Sequence, residues 1–225
     1  MSKVKSFIRI NKQTALAFKQ HNLESATILN WKHLIIYEAI AGYARGCTCS
    51  ESTLGAWAGI SDNRTVRRIL MELRDCELIH IKHRERNTSL IRPTQEGKSL
   101  IRTLTMNAPD TRGYITLEDW QSDTLNKAGV YAPLARFIYG IICHFSQQKG
   151  YGAWRGGRAG LQTWIPDGKP QVIKRTVKNL IDCRLISEEK IPACNTRALQ
   201  CWGERQRQPY CKYRSQISED DDIPF

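Results

Sequence analysis

The sequence has no CxxC pair, no GxxxxGK[ST] phosphate loop and no run of eighteen apolar residues, and each absence removes a class of function. Without CxxC pairs a zinc ribbon or thioredoxin-like redox site has no framework. Without the phosphate loop a P-loop nucleotide site is excluded. Without the long apolar run no segment reads as a membrane-spanning helix. Met1 to Ile10 also lacks the apolar stretch of a secretion signal, so a soluble, cytoplasmic protein is expected. The histidines (His21, His33, His80, His83, His144) are scattered and no paired carboxylates accompany them, so no enzyme and no cofactor are expected. Cysteine is present, but as isolated residues: Cys76, Cys143 and Cys183 read as small buried hydrophobes. Cys194, Cys201 and Cys211 are the remaining candidates for a metal, with His144 the only outside ligand.

What is present is positive charge. The chain carries +12, and because Glu219, Asp220, Asp221 and Asp222 fall together near its end, residues 1–217 carry +16. A basic body of this kind is the electrostatic footprint of a phosphate-binding protein. At 225 residues the chain suits one large or two small domains.

An ungapped shift of 107 residues aligns the chain with itself. Leu54 falls on Leu161, Trp57 on Trp164, Arg68 on Arg175, Leu73 on Leu180, Asp75 on Asp182, Cys76 on Cys183, Leu78 on Leu185 and Ile79 on Ile186. Self-similarity at one offset predicts two copies of one supersecondary unit. In the first copy, Trp31 to Tyr43 has apolar residues at helical spacing, Ser52 opens a short helix, and Gly59-Ile60-Ser61 turns into a third. On that third helix Val66, Ile69, Leu70 and Leu73 point inward and the arginines outward. A hairpin follows, Leu78 to Lys82 and Ser89 to Arg92, with a basic tip. In the second copy, Pro133 to Gln147, Arg158 to Ile165 and a helix opening at Pro170 repeat the order. After Leu185-Ile186 it departs from the first copy: Glu188 and Glu189 stand where a basic wing would be, and Cys194 to Tyr213 reads as irregular.

Pro93-Thr94-Gln95-Glu96-Gly97-Lys98-Ser99-Leu100 resembles the end of the winged helices in MarR-like regulators, where the last wing strand passes through a Thr-x-x-Gly turn into a helix. Tandem winged helices also resemble the architecture of plasmid replication initiators. The resemblance implies an α+β, mainly α protein with two tandem winged helix-turn-helix domains. The expected boundaries are a basic N-terminal arm (1–27), a first winged helix (28–105), a linker (106–130) with a Thr116-x-x-Asp119 cap before Trp120, a second winged helix (131–213) and a disordered acidic docking tail (214–225).

That tail ends Asp220-Asp221-Asp222-Ile223-Pro224-Phe225 and is similar to the C-terminal tip of bacterial single-stranded DNA-binding proteins. The resemblance implies partners of that tip: the DNA polymerase III chi subunit, exonuclease I, RecQ-type helicases and PriA. A pocket that takes the Phe225 ring, with basic residues at its rim for the aspartates, is the recognition chemistry expected.

Arginine and asparagine on an outward helix face can read base edges in a major groove. Asn63, Arg64, Arg67 and Arg68 fit this role, with Lys82, Arg84 and Arg86 on the hairpin for phosphates. Lys169, Gln171, Lys174, Arg175 and Lys178 form a similar, weaker face in the second copy. Two copies offset along one chain favour direct repeats over palindromes as the site. A further expectation is that Tyr151, Trp154, Arg155 and Arg158 clamp single-stranded DNA. The expected function is DNA binding in replication or recombination, in a mobile element, with the tip recruiting host proteins. The alternatives are a transcription regulator, a decoy for pockets that bind the tip, and a single-strand binder.

Overall fold

The computed structural model describes residues 7–83, 89–108, 111, 113–147, 153–154, 157–190 and 197–201. Phe7–Asn11 forms strand β1 and Lys12–Glu24 helix α1, where the sequence predicts a basic arm. The reason is alternation: Ile8 and Ile10 face the core while Phe7 and Arg9 face out, the period-two pattern of a half-buried strand. α1 follows it inward with Thr14, Ala15, Ala17 and Phe18 buried.

The first helical unit begins at α2 (Trp31–Ala41), whose residues from His33 to Ile40 are all buried. Asn30 caps it, accepting from Lys32 N at 2.9 Å, while His33 Nδ1 accepts from Asn30 N at 3.2 Å to complete a capping box. α3 (Glu51–Ala58) is capped by Ser50 and ends at Gly59, whose φ of 65° closes the turn in the left-handed region that glycine favours. α4 (Asn63–Asp75) starts from Asp62, which accepts from Arg64 N and Thr65 N, and buries Val66, Ile69, Leu70 and Leu73. β2 (Ile79–His83) and β3 (Ser89–Pro93) form an antiparallel hairpin. Cys47 adds a single bridge beside β3, with Cys47 N to Ile91 O at 2.8 Å and Ile91 N to Cys47 O at 2.9 Å. Thr94 then caps α5 (Gln95–Leu104) and bonds the Glu77 carbonyl, tying the end of the hairpin back to its start.

The segment expected as a linker is a second strand and helix, β4 (Tyr114–Glu118) and α6 (Asp119–Lys127). The helix cap falls on Glu118, with Gln121 as its reciprocal partner, rather than on Thr116, which is inside the strand. The second unit is α7 (Pro133–Gln147), α8 (Gly157–Trp164), α9 (Pro170–Asp182) and the antiparallel strands β5 (Ile186–Lys190) and β6 (Arg197–Cys201). The hairpin therefore forms despite its acidic first strand. Ladder bonds come from the backbone, and Ile186 is buried at its base.

The described chain is mainly helical with antiparallel strand pairs, an α+β fold. The 107-residue offset holds in three dimensions. β1 maps onto β4, α4 onto α9 and β2 onto β5 residue for residue, and the first residue of α1 maps onto the first of α6. Glu77 and Arg184, also 107 apart, share a left-handed backbone with φ of 57° and 56°. One apolar core runs through both copies. Across it Trp31 stacks on Phe137 at 6.4 Å between centroids, and Arg136 donates to the Ala56 carbonyl at 2.6 Å.

Candidate nucleic-acid interface

α4 and α9 each bury one stripe and expose another. With 3.6 residues per turn, positions i, i+3, i+4 and i+7 share a face. On α4 that face is Arg64, Arg67, Arg68 and Met71, and on α9 it is Gln171, Lys174, Arg175 and Lys178, the equivalent positions. All eight are exposed, as are Asn63 in the first turn of α4, Lys169 at the cap of α9 and Lys82 on β2. Arg84, Arg86 and the tail Asp220, Asp221, Asp222, Ile223, Pro224 and Phe225 lie outside the described residues.

Two of the arginines have a carboxylate beside them, and one of them is hydrogen-bonded to it. Arg67 makes a two-pronged contact with Glu51 of α3, Nε to Oε1 and Nη2 to Oε2, both at 2.9 Å. The carboxylate raises the Arg67 pKa, first through these hydrogen bonds and then through charge. The pair faces water, which screens it. Arg68 sits 3.9 Å from Glu72 one turn on, and its side chain is 71% exposed.

Glu72 leads inward. Its Oε2 lies 2.6 Å from His33 Nε2, joining the outer helix to the buried α2. Because His33 Nδ1 accepts from the Asn30 backbone, its proton resides on Nε2 and is donated to Glu72. Burial pushes the His33 pKa down, against the opposing pull of Glu72. The imidazole thus caps α2 and orients Glu72. No short-range pattern in the sequence links residues 39 positions apart, which is why this relay is not legible there.

A buried carboxyl, Glu38, accepts from Asn11 N at 3.1 Å and Asn11 Nδ2 at 2.8 Å. Burial raises its pKa to about 7 against the opposing hydrogen bonds from Thr14 and Asn11. Glu38 fastens the start of α1 to α2, and Asn11 is the last residue of the strand that the sequence reading places in an arm.

The single-strand clamp does not assemble as expected. Trp154 is buried, its ring packed 4.8 Å from Phe145, and a Cβ at Gly160 would lie 2.7 Å from it. Arg158 pairs with Glu188 of β5 at 3.3 Å. The tryptophan fills the core at the position equivalent to Cys47, so its face is not offered to a base; Tyr151 and Arg155 lie outside the described residues. Cys143 is buried, while Cys76 and Cys183 are half-buried at the ends of α4 and α9. Cys201 sits on β6, and Cys194 and Cys211 lie outside the described residues, among which no group of three His, Cys, Asp or Glu side chains could hold a metal. Among them, too, no helix is long and apolar enough to cross a membrane.

Comparison of the chain with protein families, with curated proteins and with solved structures returns no match.

Proposed function

We propose that this chain binds duplex DNA through two tandem winged-helix modules and acts in replication or recombination, as a non-enzymatic factor of a mobile element that recruits host proteins. The observation that carries the DNA-binding reading is the repeated outward stripe, Arg64, Arg67 and Arg68 on α4 and Lys174, Arg175 and Lys178 on α9. Each stripe lies on the last of three helices and is followed by a hairpin, with a bridging residue beside the first hairpin. That order is the one in which winged helices place a recognition helix in the major groove and a wing against the backbone. The +16 carried by residues 1–217 supports the same reading.

Recruitment rests on the sequence of Asp220 to Phe225 and its similarity to the tip of single-stranded DNA-binding proteins. The proposed partners are the chi subunit, exonuclease I, RecQ-type helicases and PriA. Two measurements test the two halves of the proposal separately. Duplex affinity titrated against salt should fall with a log–log slope on the order of −5 to −7, the loss expected when about six to eight phosphates are engaged; a slope near zero removes the DNA reading. Binding of purified chi subunit, exonuclease I, RecQ and PriA should be lost when Phe225 is deleted, and equal binding without it removes the recruitment reading.

A further inference from the structure

The strands that the sequence reading leaves in an arm and a linker pair with each other, and their register carries information about the whole molecule. Phe7 pairs with Glu118, Ile8 with Leu117, Arg9 with Thr116, Ile10 with Ile115 and Asn11 with Tyr114. The central pair, Arg9 and Thr116, is also a pair of equivalent residues, 107 apart. In an antiparallel ladder this means that whatever superposes β1 on β4 also superposes β4 on β1. The operation is a twofold rotation about an axis through that pair.

The rest of each half follows its strand. β1 packs on α2 and β4 on α7, the equivalent helix, while α1 lies against α2 as α6 lies against α7. Contacts between the halves follow this operation near the axis, as in an isologous interface, and depart from it farther out, where α1 lies against α8 but α6 does not lie equally against α3. A Cβ at Gly59 would meet Pro133 at 3.0 Å; their equivalents are Pro166 and Ala26, and beside these Ile28 lines one cavity with Ile165, Asp167 and Gly168. Trp31 stacks on Phe137, and the equivalents of these two are Ile138 and Asn30, their own chain neighbours, so this contact sits near the axis.

We infer that α4 and α9 are related by this internal twofold and read one duplex in opposite directions, so that the site of a single chain is an imperfect inverted repeat, not a direct one. The inference rests on the DNA-binding reading above. Symmetry of the protein is mirrored in the site because the duplex backbone has its own twofold between strands. Imperfection follows from the side chains. Arg68 and Arg175 are identical at equivalent positions, Arg67 and Lys174 are both cationic, but Asn63 and Arg64 are matched by Pro170 and Gln171. The two arms of the site therefore share the base read by Arg68 and Arg175 and differ toward the helix N-termini.

The test is selection of bound duplexes from a randomised pool by the full chain, repeated with Arg68→Ala and with Arg175→Ala. Both side chains are exposed, so both variants should fold, which an unchanged unfolding midpoint verifies. The expected result is two arms in opposite orientation, each variant relaxing one arm, with the two relaxed positions on opposite strands at equal distance from the centre. Reversing one arm of the selected site should then weaken the unmodified chain about ten- to hundredfold. Relaxed positions on the same strand, repeated in the same direction, would overturn the inference while leaving DNA binding intact. A pool from which no duplex is retained would remove the DNA reading and this inference with it.

Discussion

The two halves share a backbone plan but not an interior. Where the first half has His33, Glu38 and Glu72, the second has Gly140, Phe145 and Asn179 at the equivalent positions. Leu117 lies against Gly140, leaving no room for a side chain there, and Phe145 sits in an aromatic cluster with Trp154 and Trp164. The first half thus ties its outer helix to its core through titratable groups, and the second packs the same place with rings. Outside, the contrast continues on the hairpins, where Lys82 of the first corresponds to Glu189 of the second. A duplicated fold keeps its apolar contacts because they close the core, and it is free to diverge wherever a polar group has a local partner.

The largest expected effect breaks the junction on which the comparison depends. Ile10 and Ile115 face each other in the β1–β4 ladder and both are fully buried. Ile10→Ala should cost ~2–5 kcal/mol, the transfer of the side chain plus the cavity left behind. Because one core spans both halves, urea should unfold the variant in a single shifted transition. Two separated transitions, only one of them moved, would mean that the halves fold as independent domains.

Glu38 should give the next effect, confined to the first half. Its carboxyl is raised from 4.5 to about 7, so the folded state holds a proton that the unfolded chain releases earlier. Stability from this group is full below pH 4.5 and is lost as pH rises through about 7, by on the order of 3 kcal/mol. Glu38→Gln should flatten that decline in a series of denaturation curves from pH 4.5 to 8. His33 acts with the opposite sign: its pKa is lowered, so its contribution is present above 6.5 and fades as pH falls below that value. In Glu38→Gln the dependence of the two buried histidines, His33 and His144, whose pKa values burial lowers, should remain, a loss toward acid. An unchanged alkaline decline would remove Glu38 as its source.

On DNA, Arg68→Ala should weaken binding by ~1–3 kcal/mol, and Arg175→Ala should fall toward the lower end of that range. Glu72, positioned by His33, stands one turn from Arg68, whereas the equivalent of Glu72 is the neutral Asn179. Equal losses in competition titrations would show that this relay does not favour the first helix.

Much of the helical frame was legible because it is written in short-range patterns. Val66, Ile69, Leu70 and Leu73 announce α4, and their ungapped match to Ile173, Thr176, Val177 and Leu180 fixes α9 to the residue. The strands were missed for a physical reason: five residues give only two inward side chains, and the basic residues around Phe7 to Asn11 read as a solvated arm. The signal was nevertheless there. The same shift places Phe7 on Tyr114, Ile8 on Ile115 and Ile10 on Leu117, three apolar matches with the polar pair Arg9 and Thr116 between the last two. The face of α4 was legible as a stripe of arginines; its coupling to His33 was not, since contacts 39 residues apart leave no periodic trace. The hairpin of β5 and β6 is hard to read from the sequence because its charge differs from that of the first, but backbone pairing does not require basic side chains.

The smallest expected effect uses that last difference. A wing contributes phosphate contacts, which raise affinity without choosing sequence and which appear in the salt dependence. On the proposed DNA reading Lys82 of the first hairpin attracts a strand, and its equivalent in the second is the acidic Glu189. Glu189→Lys then copies the charge of the first hairpin onto the second. The expected outcome is a salt slope steeper by about one, the change of a single phosphate contact, with the preferred sequence unaltered. Glu188 is left in place because it holds Arg158. A slope that stays constant would mean that the second hairpin stands away from the backbone, and that the equivalence of the halves ends at their helices.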